Sequence, residues 1–398
     1  MIPKHSSSDT TRTALVVLGT RPEAIKLAPV VQALDDWTNM RVRVVSTGQH
    51  REMLAQTLSV FGLEVDHDLD VMTHDQTLSQ VTSRILSRLD PVFDLENPDV
   101  VIVQGDTTTA LSASLAAFYR KTPVAHVEAG LRTDDRYAPF PEEINRRMVS
   151  TLADWHFAPT QTSASALRRE GILESSIYVT GNTVIDAMRQ VLATTTWPED
   201  LPAPAGRVLL VTAHRRENFG ASLEAICRAI RRIADEHCDV EVWYPVHRNP
   251  KVRGPVEQLL SCHPGIRLVE PLDYVSFTHL LARSHLVLTD SGGVQEEAPA
   301  LAKPVLVMRE VTERPEAVEA GVVELVGTDE DHIVRRTSRL LNDPAAYKEM
   351  AREVSPYGDG LAAKRIVDVL CKTFRTESLL GRTRGHEKLA VEAERLTA

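Results

Sequence analysis

The sequence predicts an α/β fold with two Rossmann-like domains, whose parallel sheets face a shared cleft. Three observations predict it: short apolar runs recur along the chain, helical patterns separate them, and a proline-rich segment interrupts the pattern near the middle. Apolar runs without polar alternation are typical of strands buried on both faces of a parallel sheet. Strands that alternate with helices form right-handed crossover units, and hence a doubly wound fold.

The predicted strands are short β-branched runs, and they divide between the two halves of the chain. Those of the first half are Ala14–Leu18, Val42–Thr47, Val100–Val103, Val124–Val127 and His156–Ala158. Those of the second half are Val208–Thr212, Val240–Tyr244, Ile266–Val269, Leu286–Thr289, Val305–Val307 and Val322–Val326. Ligands bind beyond the carboxyl ends of such strands, so we expect motifs that directly follow strands to face the cleft.

A linker is predicted between Asp186 and Gly206, where the strand spacing weakens and residues 197–204 read WPEDLPAP. A chain of 398 residues is also long enough for two or three domains. We therefore predict three parts. They are an N-terminal Rossmann-like domain over residues 1–190, a C-terminal Rossmann-like domain over 191–370 and a charged extension over 371–398.

Composition excludes several classes of protein. The formal net charge of −10 argues against a nucleic-acid partner. No apolar run approaches the roughly 20 residues that span a bilayer, and the N-terminus lacks the apolar core of a signal peptide. Four cysteines without a CxxC pair favour reduced thiols over a zinc site or disulfides. The expectation is a cytoplasmic protein that does not bind a membrane.

The motif GTRPEAIK at 19–26 directly follows the first predicted strand. Its glycine allows a tight turn, and Pro22 suits the first position of a helix. Arg21 and Lys26 would then stand at a helix N-terminus, where anions bind, unless they are solvated residues of an ordinary turn. The motif is not the GxGxxG fingerprint, so no nicotinamide cofactor is predicted.

Three carboxylates follow strands or end loops in the first half: Asp106, Glu128 and Glu142. Each also has a structural explanation. Asp106 could cap the following helix, Glu128 could pair with Arg132, and Glu142 with Glu143 could simply begin a helix. Their accumulation favours a function, because carboxylates gathered in one cleft shift each other's pKa and supply general acids and bases.

The second half supplies cations and glycines. His214 follows a predicted strand and could donate to a phosphate, or be a satisfied histidine beside a surface Arg–Glu cluster. Ser291–Gly293 opens a helix with bare N–H groups, which predicts a diphosphate cradle. Glu297 could accept the hydroxyls of a ribose, and Arg314 could reach a phosphate. No metal-ligand spacing is present, so no metal site is predicted.

Together these motifs resemble the bacterial UDP-N-acetylglucosamine 2-epimerases of the non-hydrolysing type, from about Leu15 to about Ile366. The segments that carry the resemblance include GTRPEAIKLAPV at 19–30, GDTTTALSASLAAFY at 105–119, HVEAGLRT at 126–133, PFPEEINRR at 139–147, GNTVIDA at 181–187, AHRRENFG at 213–220, TDSGGVQEEAPALAKPVLVMR at 289–309 and TERPEAVEAG at 312–321. Matches of this number, length and order are very improbable by chance.

The resemblance implies the type-B glycosyltransferase architecture, a homodimer, and conversion of UDP-N-acetylglucosamine to UDP-N-acetylmannosamine for surface polysaccharide or specialised-metabolite biosynthesis. It implies removal of the carbon 2 proton with anti loss of UDP, and UDP re-addition to 2-acetamidoglucal, without a cofactor. A hydrolysing relative, a 2-epimerase of another UDP-2-acetamido sugar, a glycosyltransferase of the same fold and a non-catalytic UDP-sugar sensor are the alternatives.

The resemblance also assigns residues. The implied catalytic residues are Asp106, Glu128, Glu142 and His214. The implied nucleotide-binding residues are Arg21, Lys26, Ser291, Gly292, Gly293, Glu297 and Arg314. The residues that match a second, activating UDP-N-acetylglucosamine site in some bacterial members are Gln49, His50 and Arg51.

Overall fold

The computed structural model describes residues 11–48, 51–73, 75–199 and 201–376. The strands of the first half are β1 (Arg12–Leu18), β2 (Met40–Ser46), β3 (His67–Asp68), β4 (Val100–Gln104), β5 (Val124–Val127), β6 (Trp155–Ala158) and β7 (Ile177–Val179). Its helices are α1 (Arg21–Asp35), α2 (Arg51–Val60), α3 (Leu78–Glu96), α4 (Thr108–Tyr119), α5 (Glu142–Leu152), α6 (Gln161–Arg169) and α7 (Thr183–Thr194).

The second half has the same alternation. Its strands are β8 (Arg207–Thr212), β9 (Val240–Pro245), β10 (Ile266–Val269), β11 (Ser284–Thr289), β12 (Val305–Val307) and β13 (Val323–Leu325). Its helices are α8 (Ala221–Glu236), α9 (Pro250–Leu260), α10 (Tyr274–Arg283), α11 (Val294–Glu297), α12 (Pro315–Glu319), α13 (Glu330–Asn342) and α14 (Pro344–Met350), and a helix over 362–376, here α15, follows.

Each half is one parallel sheet, and the two orders correspond. The first sheet runs β3-β2-β1-β4-β5-β6-β7, and the second runs β10-β9-β8-β11-β12-β13. In both sheets the order reverses beside the first strand, which is the topological switch point where doubly wound sheets bind ligands. The two Rossmann-like domains predicted from the sequence are therefore confirmed. In the described part of the chain, no helix is long and apolar enough to cross a bilayer.

All eleven predicted strands are present within two residues of their predicted bounds. The sequence missed β3 and β7, which have only two and three residues. Both lie at the edges of the first sheet, where one side of the strand has no neighbour. Short edge strands need no continuous apolar run, so they lack the pattern on which the other predictions depended.

The boundaries between the halves differ from those predicted. The division expected at residue 190 falls inside α7, whose apolar side chains pack in one cluster with Ile25 of α1 and Val208 of β8. The second boundary, at residue 370, falls inside α15, and this helix packs under the first sheet. The chain thus passes to the second half after α7 and returns through residues 351–361. Residues 377–398 of the predicted extension lie outside the described residues.

The return of α15 to the first half rests on an aromatic cluster. Phe374 is 4% exposed, and its ring lies 6.4 Å from that of Trp37 and 6.3 Å from that of Trp155. Ile366 and Leu370 of the same helix are fully buried against this core. The last described helix is therefore part of the folding unit of the first half.

We predict that Phe374→Ala lowers the free energy of unfolding by about 3 kcal/mol, because it removes a buried ring and leaves a cavity. Urea denaturation measures this change. Phe118→Ala is the matched control, since Phe118 is 58% exposed, and its effect is expected to stay within about 0.5 kcal/mol. Equal effects of the two substitutions would show that α15 does not stabilise the first half.

Candidate active site

The turn between β1 and α1 is held by Glu23, a fully buried carboxylate that sequence reasoning did not single out. Its Oε2 accepts hydrogen bonds from the N–H groups of Gly19 and Thr20, and its Oε1 accepts one from Thr107 Oγ1 at 2.6 Å. Gly19 has no room for a side chain, because a Cβ atom there would lie 2.1 Å from Thr47 Oγ1. The loops after β1 and β4 are thereby locked side by side at the switch point.

Glu128 lies directly after β5 and is buried, with a left-handed backbone φ of 62°. A non-glycine residue there costs on the order of 1 kcal/mol or more, and such strain is concentrated at functional sites. Its Oε1 accepts from Lys26 Nζ at 2.5 Å and from Asn182 Nδ2 at 2.8 Å, and its Oε2 accepts from Gln104. The ion pair with Arg132 that served as the structural alternative is absent here, because Arg132 pairs with Glu170 at 2.6 Å.

These contacts keep Glu128 ionised. Burial by itself would raise the pKa of this carboxyl, but Lys26 outweighs it and Arg314 adds to the effect, so the pKa lies below its ordinary value. Burial likewise disfavours the charged amine of Lys26, yet the neighbouring Glu128 and Glu296 raise its pKa. The pair is therefore charged on both sides at neutral pH.

Asp106 has the opposite environment. Its Oδ2 lies 2.6 Å from Arg146 Nη2, but burial raises the pKa of Asp106, and the nearby Glu128 and Glu142 raise it further. Asp106 does not cap α4, because the side chain of Thr107 accepts the capping hydrogen bond from Ala110 N at 3.0 Å. The cap explanation of Asp106 is therefore wrong, and its carboxyl is available to the cleft.

Glu142 begins α5, as its sequence context predicts. The neighbouring Glu143 is fully buried and forms ion pairs within the fold. Its Oε1 pairs with Arg147 at 2.9 Å and its Oε2 with Arg146 at 3.4 Å. Glu142 differs, because its Oε2 is buried without a hydrogen-bond partner among the described residues. A buried carboxylate oxygen without a partner is costly, which is typical of a group that awaits a ligand.

In the second half, the turn Ser291–Gly293, here called the glycine turn, follows β11 and leads into α11. The first intrahelical bonds run from Gln295 N to Gly292 O and from Glu296 N to Gly293 O, so the N–H groups of the two glycines have no helical acceptor. The N–H of Ser291 donates to Thr289 Oγ1 at 2.9 Å. Arg314 approaches this turn closely, since a Cβ atom at Gly292 would lie 3.2 Å from its guanidinium. Unpaired N–H groups beside a guanidinium form an anion site.

Arg314 is fixed by two carboxylates. Its Nε donates to Glu296 Oε1 at 2.8 Å, and its Nη1 donates to Glu313 Oε2 at 2.6 Å. Burial disfavours its charge, but Glu296 and Glu313 outweigh this and raise its pKa. The guanidinium is therefore held in one orientation at the mouth of the glycine turn.

His214 lies just after β8 and is held by the fully buried Asp290. Asp290 Oδ2 accepts from the backbone N–H groups of His214 and Arg215, both at 2.8 Å, and His214 Nδ1 lies 3.3 Å from Asp290 Oδ1. Burial lowers the pKa of His214, and His247, whose ring stacks on it at 5.7 Å, lowers it further against the opposing effect of Asp290. The imidazole is thus mainly neutral at neutral pH.

Glu297 is buried, and Tyr274 donates to its Oε1 at 3.4 Å. Burial, with the charge of Glu296, raises the pKa of Glu297 to about 7. Lys26 and Arg21 oppose this rise. Hydroxyl groups of a ligand that donate to this carboxylate would compensate for the cost of its burial.

Two adjoining cavities open between the halves, at the carboxyl ends of both sheets. The larger has a volume of about 530 Å³, and the smaller about 360 Å³. Predicted site residues that border the larger cavity are Arg21, Lys26, His214, Ser291, Gly293, Glu297 and Arg314. The others, which border the smaller cavity, are Asp106, Glu128, Glu142 and Gly292. All eleven are therefore brought together, and the three carboxylates predicted to be catalytic border the smaller cavity.

The side chains of the three residues predicted for a second, activating site lie outside the described part of the structure. Gln49 and His50 lie outside the described residues, and Arg51 begins α2. Among the described residues, no three His, Cys, Asp or Glu side chains are close enough to hold a metal ion.

Sequence reasoning missed several residues of the site. Gln104, Arg146 and Arg215 border the smaller cavity, and Asn182 joins the two halves by donating to both Glu128 and Glu296. Arg146 could have been found, because it follows Glu142 by four residues and so shares its helix face. Asn182 lies in the segment GNTVIDA at 181–187, but it was not singled out, because the strand before it, β7, was not predicted.

Comparison with known proteins decides the family. The family described as UDP-N-acetylglucosamine 2-epimerase matches residues 32–371. The chain belongs to the UDP-N-acetylglucosamine 2-epimerase family. The chain is 51% identical, over 366 residues, to the UDP-N-acetylglucosamine 2-epimerase of Escherichia coli O157:H7, with 89% of this chain and 97% of the relative covered. The predicted resemblance is confirmed, and this epimerase is an isomerase.

Solved structures agree with the architecture of the epimerase. The crystal structure of the Neisseria meningitidis UDP-GlcNAc 2-epimerase bound to UDP-GlcNAc matches with a TM-score of 0.84 and 47% identity, covering 90% of this chain and 100% of that one. A glycotransferase of kitacinnamycin, only 14% identical, matches with a TM-score of 0.62 over 90% of this chain and 98% of that one. The predicted type-B glycosyltransferase fold is thereby confirmed.

We predict that Glu297→Gln stabilises the epimerase more at pH 8 than at pH 5. Between pH 4.5 and about 7, the folded state keeps a proton on Glu297 that the unfolded state releases. Wild-type stability therefore falls as the pH rises through this window, by up to about 3 kcal/mol. Glutamine has no such proton, so the substitution removes this loss.

Urea denaturation of both proteins across pH 5–8, without ligand, measures the difference. Glu319→Gln is the matched control, because Glu319 is exposed. A stability difference between wild type and Glu297→Gln that is the same at every pH would contradict the prediction.

Proposed function

We propose that the epimerase interconverts UDP-N-acetylglucosamine and UDP-N-acetylmannosamine without releasing the free sugar. In this scheme UDP leaves carbon 1 in an anti elimination, 2-acetamidoglucal is held in the cleft, and UDP adds back after reprotonation at carbon 2. One observation carries the proposal: the smaller cavity presents Asp106, Glu128 and Glu142, and it adjoins a larger cavity walled by the glycine turn, His214 and Arg314.

The larger cavity suits the UDP group. The turn Ser291–Gly293 and Arg314 would bind the diphosphate, and Glu297 would accept the ribose hydroxyls. Arg21 and Lys26 approach from the first half. The diphosphate gains negative charge as the carbon–oxygen bond breaks, so fixed donors at this position stabilise the transition state more than the bound substrate.

The two neighbouring carboxyl groups, Glu128 and Asp106, have environments that push their pKa values apart. Glu128 is ionised through Lys26, whereas burial favours the neutral form of Asp106. Two carboxyl groups separated in this way serve as a base and an acid in one site. We assign Glu128 as the base that takes the carbon 2 proton, and Asp106 as the acid that returns a proton to the opposite face.

In the elimination, the carbon 2 proton passes to Glu128, the electron pair of that C–H bond forms the double bond, and the pair of the carbon 1–oxygen bond leaves with UDP. In the return step Asp106 protonates carbon 2, and the UDP oxygen adds to carbon 1. Glu128 is then protonated and Asp106 ionised, so the pair exchanges protons with solvent before the next turnover.

Glu142 and His214 complete the scheme. The Oε2 of Glu142, which is buried without a partner among the described residues, would accept a hydrogen bond from the sugar. The neutral His214 faces Asp290 with Nδ1, which leaves Nε2 to donate to the departing diphosphate. The hydrolysing alternative shares the elimination but ends with water at carbon 1. The implied homodimer and the activating second site stay predictions.

We expect a proton NMR time course in D₂O, without any acceptor, to show UDP-N-acetylglucosamine converting reversibly to its carbon 2 epimer. Deuterium is expected at carbon 2 of both sugars, because the proton that returns differs from the one removed. Irreversible accumulation of free N-acetylmannosamine and UDP would establish the hydrolysing reaction instead. Absence of turnover until an acceptor is added would establish a glycosyltransferase.

Asp106→Asn, Glu128→Gln and Glu142→Gln are each predicted to lower kcat by about 100-fold or more. The first two remove the proposed acid and base, and the third removes the charge of a carboxylate proposed to contact the sugar. The affinity for UDP, measured by calorimetry, is expected to change less than about threefold, because the turn Ser291–Gly293 and Arg314, the proposed diphosphate ligands, lie in the other half. Asp134→Asn is the control, since this carboxylate is exposed in the same region as Glu142. Near-normal turnover of all three variants would refute the assignment.

A further inference from the structure

Asn182 forms hydrogen bonds to both halves of the molecule. It caps α7, since its Oδ1 accepts from Val184 N at 3.1 Å, and its own N–H donates to Tyr357 O at 2.5 Å. Its Nδ2 donates to Glu128 Oε1 at 2.8 Å in the first half and to Glu296 Oε2 at 2.7 Å in the second. Every polar group of this buried residue is thus used, and both side-chain protons go to carboxylates of different halves.

The partner in the second half belongs to the glycine turn. Glu296 lies in α11, its N–H donates to Gly293 O at 2.9 Å, and its other oxygen accepts from Arg314 at 2.8 Å. A shift of the glycine turn or of Arg314 therefore moves Glu296, and with it the acceptor of one Asn182 proton.

The two carboxylates would repel each other without the amide. Their bonded oxygens lie no more than 5.5 Å apart, because both accept from the same nitrogen, at 2.8 and 2.7 Å. Like charges at this separation inside a protein disfavour each other strongly. A neutral double donor holds them together and fixes the angle of the Glu128 carboxylate.

We propose that Asn182 is a positioning residue that aims the Glu128 carboxylate at carbon 2 only while the glycine turn and Arg314 are in place. It touches no reacting atom and acts through Glu128. The inference rests on the proposed role of Glu128 as the base, and it adds a direct link between the nucleotide-side loop and that base. The link makes proton removal depend on the state of the diphosphate site.

The principal test is Asn182→Ser in the full-length epimerase. Serine is a good helix cap, so α7 keeps its first hydrogen bond, whereas the bridge between the carboxylates is lost. We expect kcat to fall about 10-fold to 100-fold, as for a misplaced catalytic group. The KM for UDP-N-acetylglucosamine and the Kd for UDP are expected to change less than about threefold. Asp329→Ser makes a comparable cap change at α13, where the side chain accepts from His332 N, and is expected to leave kcat unchanged.

The pH profile separates positioning from a structural role. Charged groups that face Glu128 are Lys26, Arg314, Glu296 and Asp106, and all of them remain in the variant. The hydrogen bond from Asn182 favours the ionised form of Glu128, so its loss raises the pKa of the base. The acidic limb of the kcat/KM profile is therefore expected to move to higher pH in Asn182→Ser. A role in stability alone would leave the limb in place.

Asn182→Asp is the second variant, which keeps the size of the side chain and its cap acceptor while replacing the donor with a third carboxylate. We expect its kcat to fall further than that of Asn182→Ser. If the serine variant does not fold, the kcat and pH profile of Asn182→Asp test the inference. Glu128→Gln is measured alongside. Loss of activity in Glu128→Gln, with normal kcat and pH profile in both Asn182 variants, overturns the inference and leaves the proposed function standing. Normal activity of Glu128→Gln overturns the proposed function itself.

Discussion

The buried ion pair between Lys26 and Glu128 is the interaction on which the rest of the site depends. It joins α1 to the end of β5, and Asn182 and Gln104 donate to the two oxygens of the same carboxylate. Buried charges are tolerated only when they are paired and hydrogen-bonded, and removal of one partner leaves an uncompensated charge. The positions of the first helix, the fifth strand and α7 are consequently tied to one carboxylate, whose backbone is itself strained.

The two halves use one topology for opposite chemistry. In both sheets the functional loops follow the strands at the switch point, which places them on facing edges. The loops of the first half carry carboxyl groups, of which Glu128 pairs with Lys26 and Asp106 with Arg146, whereas those of the second carry N–H groups, a guanidinium and a neutral imidazole. The groups that we propose as acid and base are thereby kept apart from the proposed diphosphate-binding turn by a fold repeated twice. The two sets meet where Arg314 and Lys26 border both cavities.

The sequence allowed much of this to be predicted, because strand ends are visible in a sequence. Asp106, Glu128 and His214 each follow a long apolar run, and the sheet order brings such positions together. Hydrogen bonds between side chains of different halves could not be predicted. Glu296 and Asn182 meet only because α7 packs between the two sheets, and the three-residue β7 gave no pattern that marked Asn182 as a strand-end residue. The choice of Lys26 rather than Arg132 as the partner of Glu128 is likewise a matter of tertiary distance.

The return of α15 to the first half determines how the halves can move. The chain crosses between them twice, once through residues 195–206 and once through residues 351–361, and the backbone of Asn182 is bonded to the second crossing at Tyr357. Two bodies joined at two points can rotate about the line through those points but cannot slide or twist freely past each other. Opening of the cleft is therefore a rotation about a fixed axis beside α7. Any swing about that axis changes the distances near α7 least, so the halves can stay joined through Asn182 while the loops farther from α7 separate.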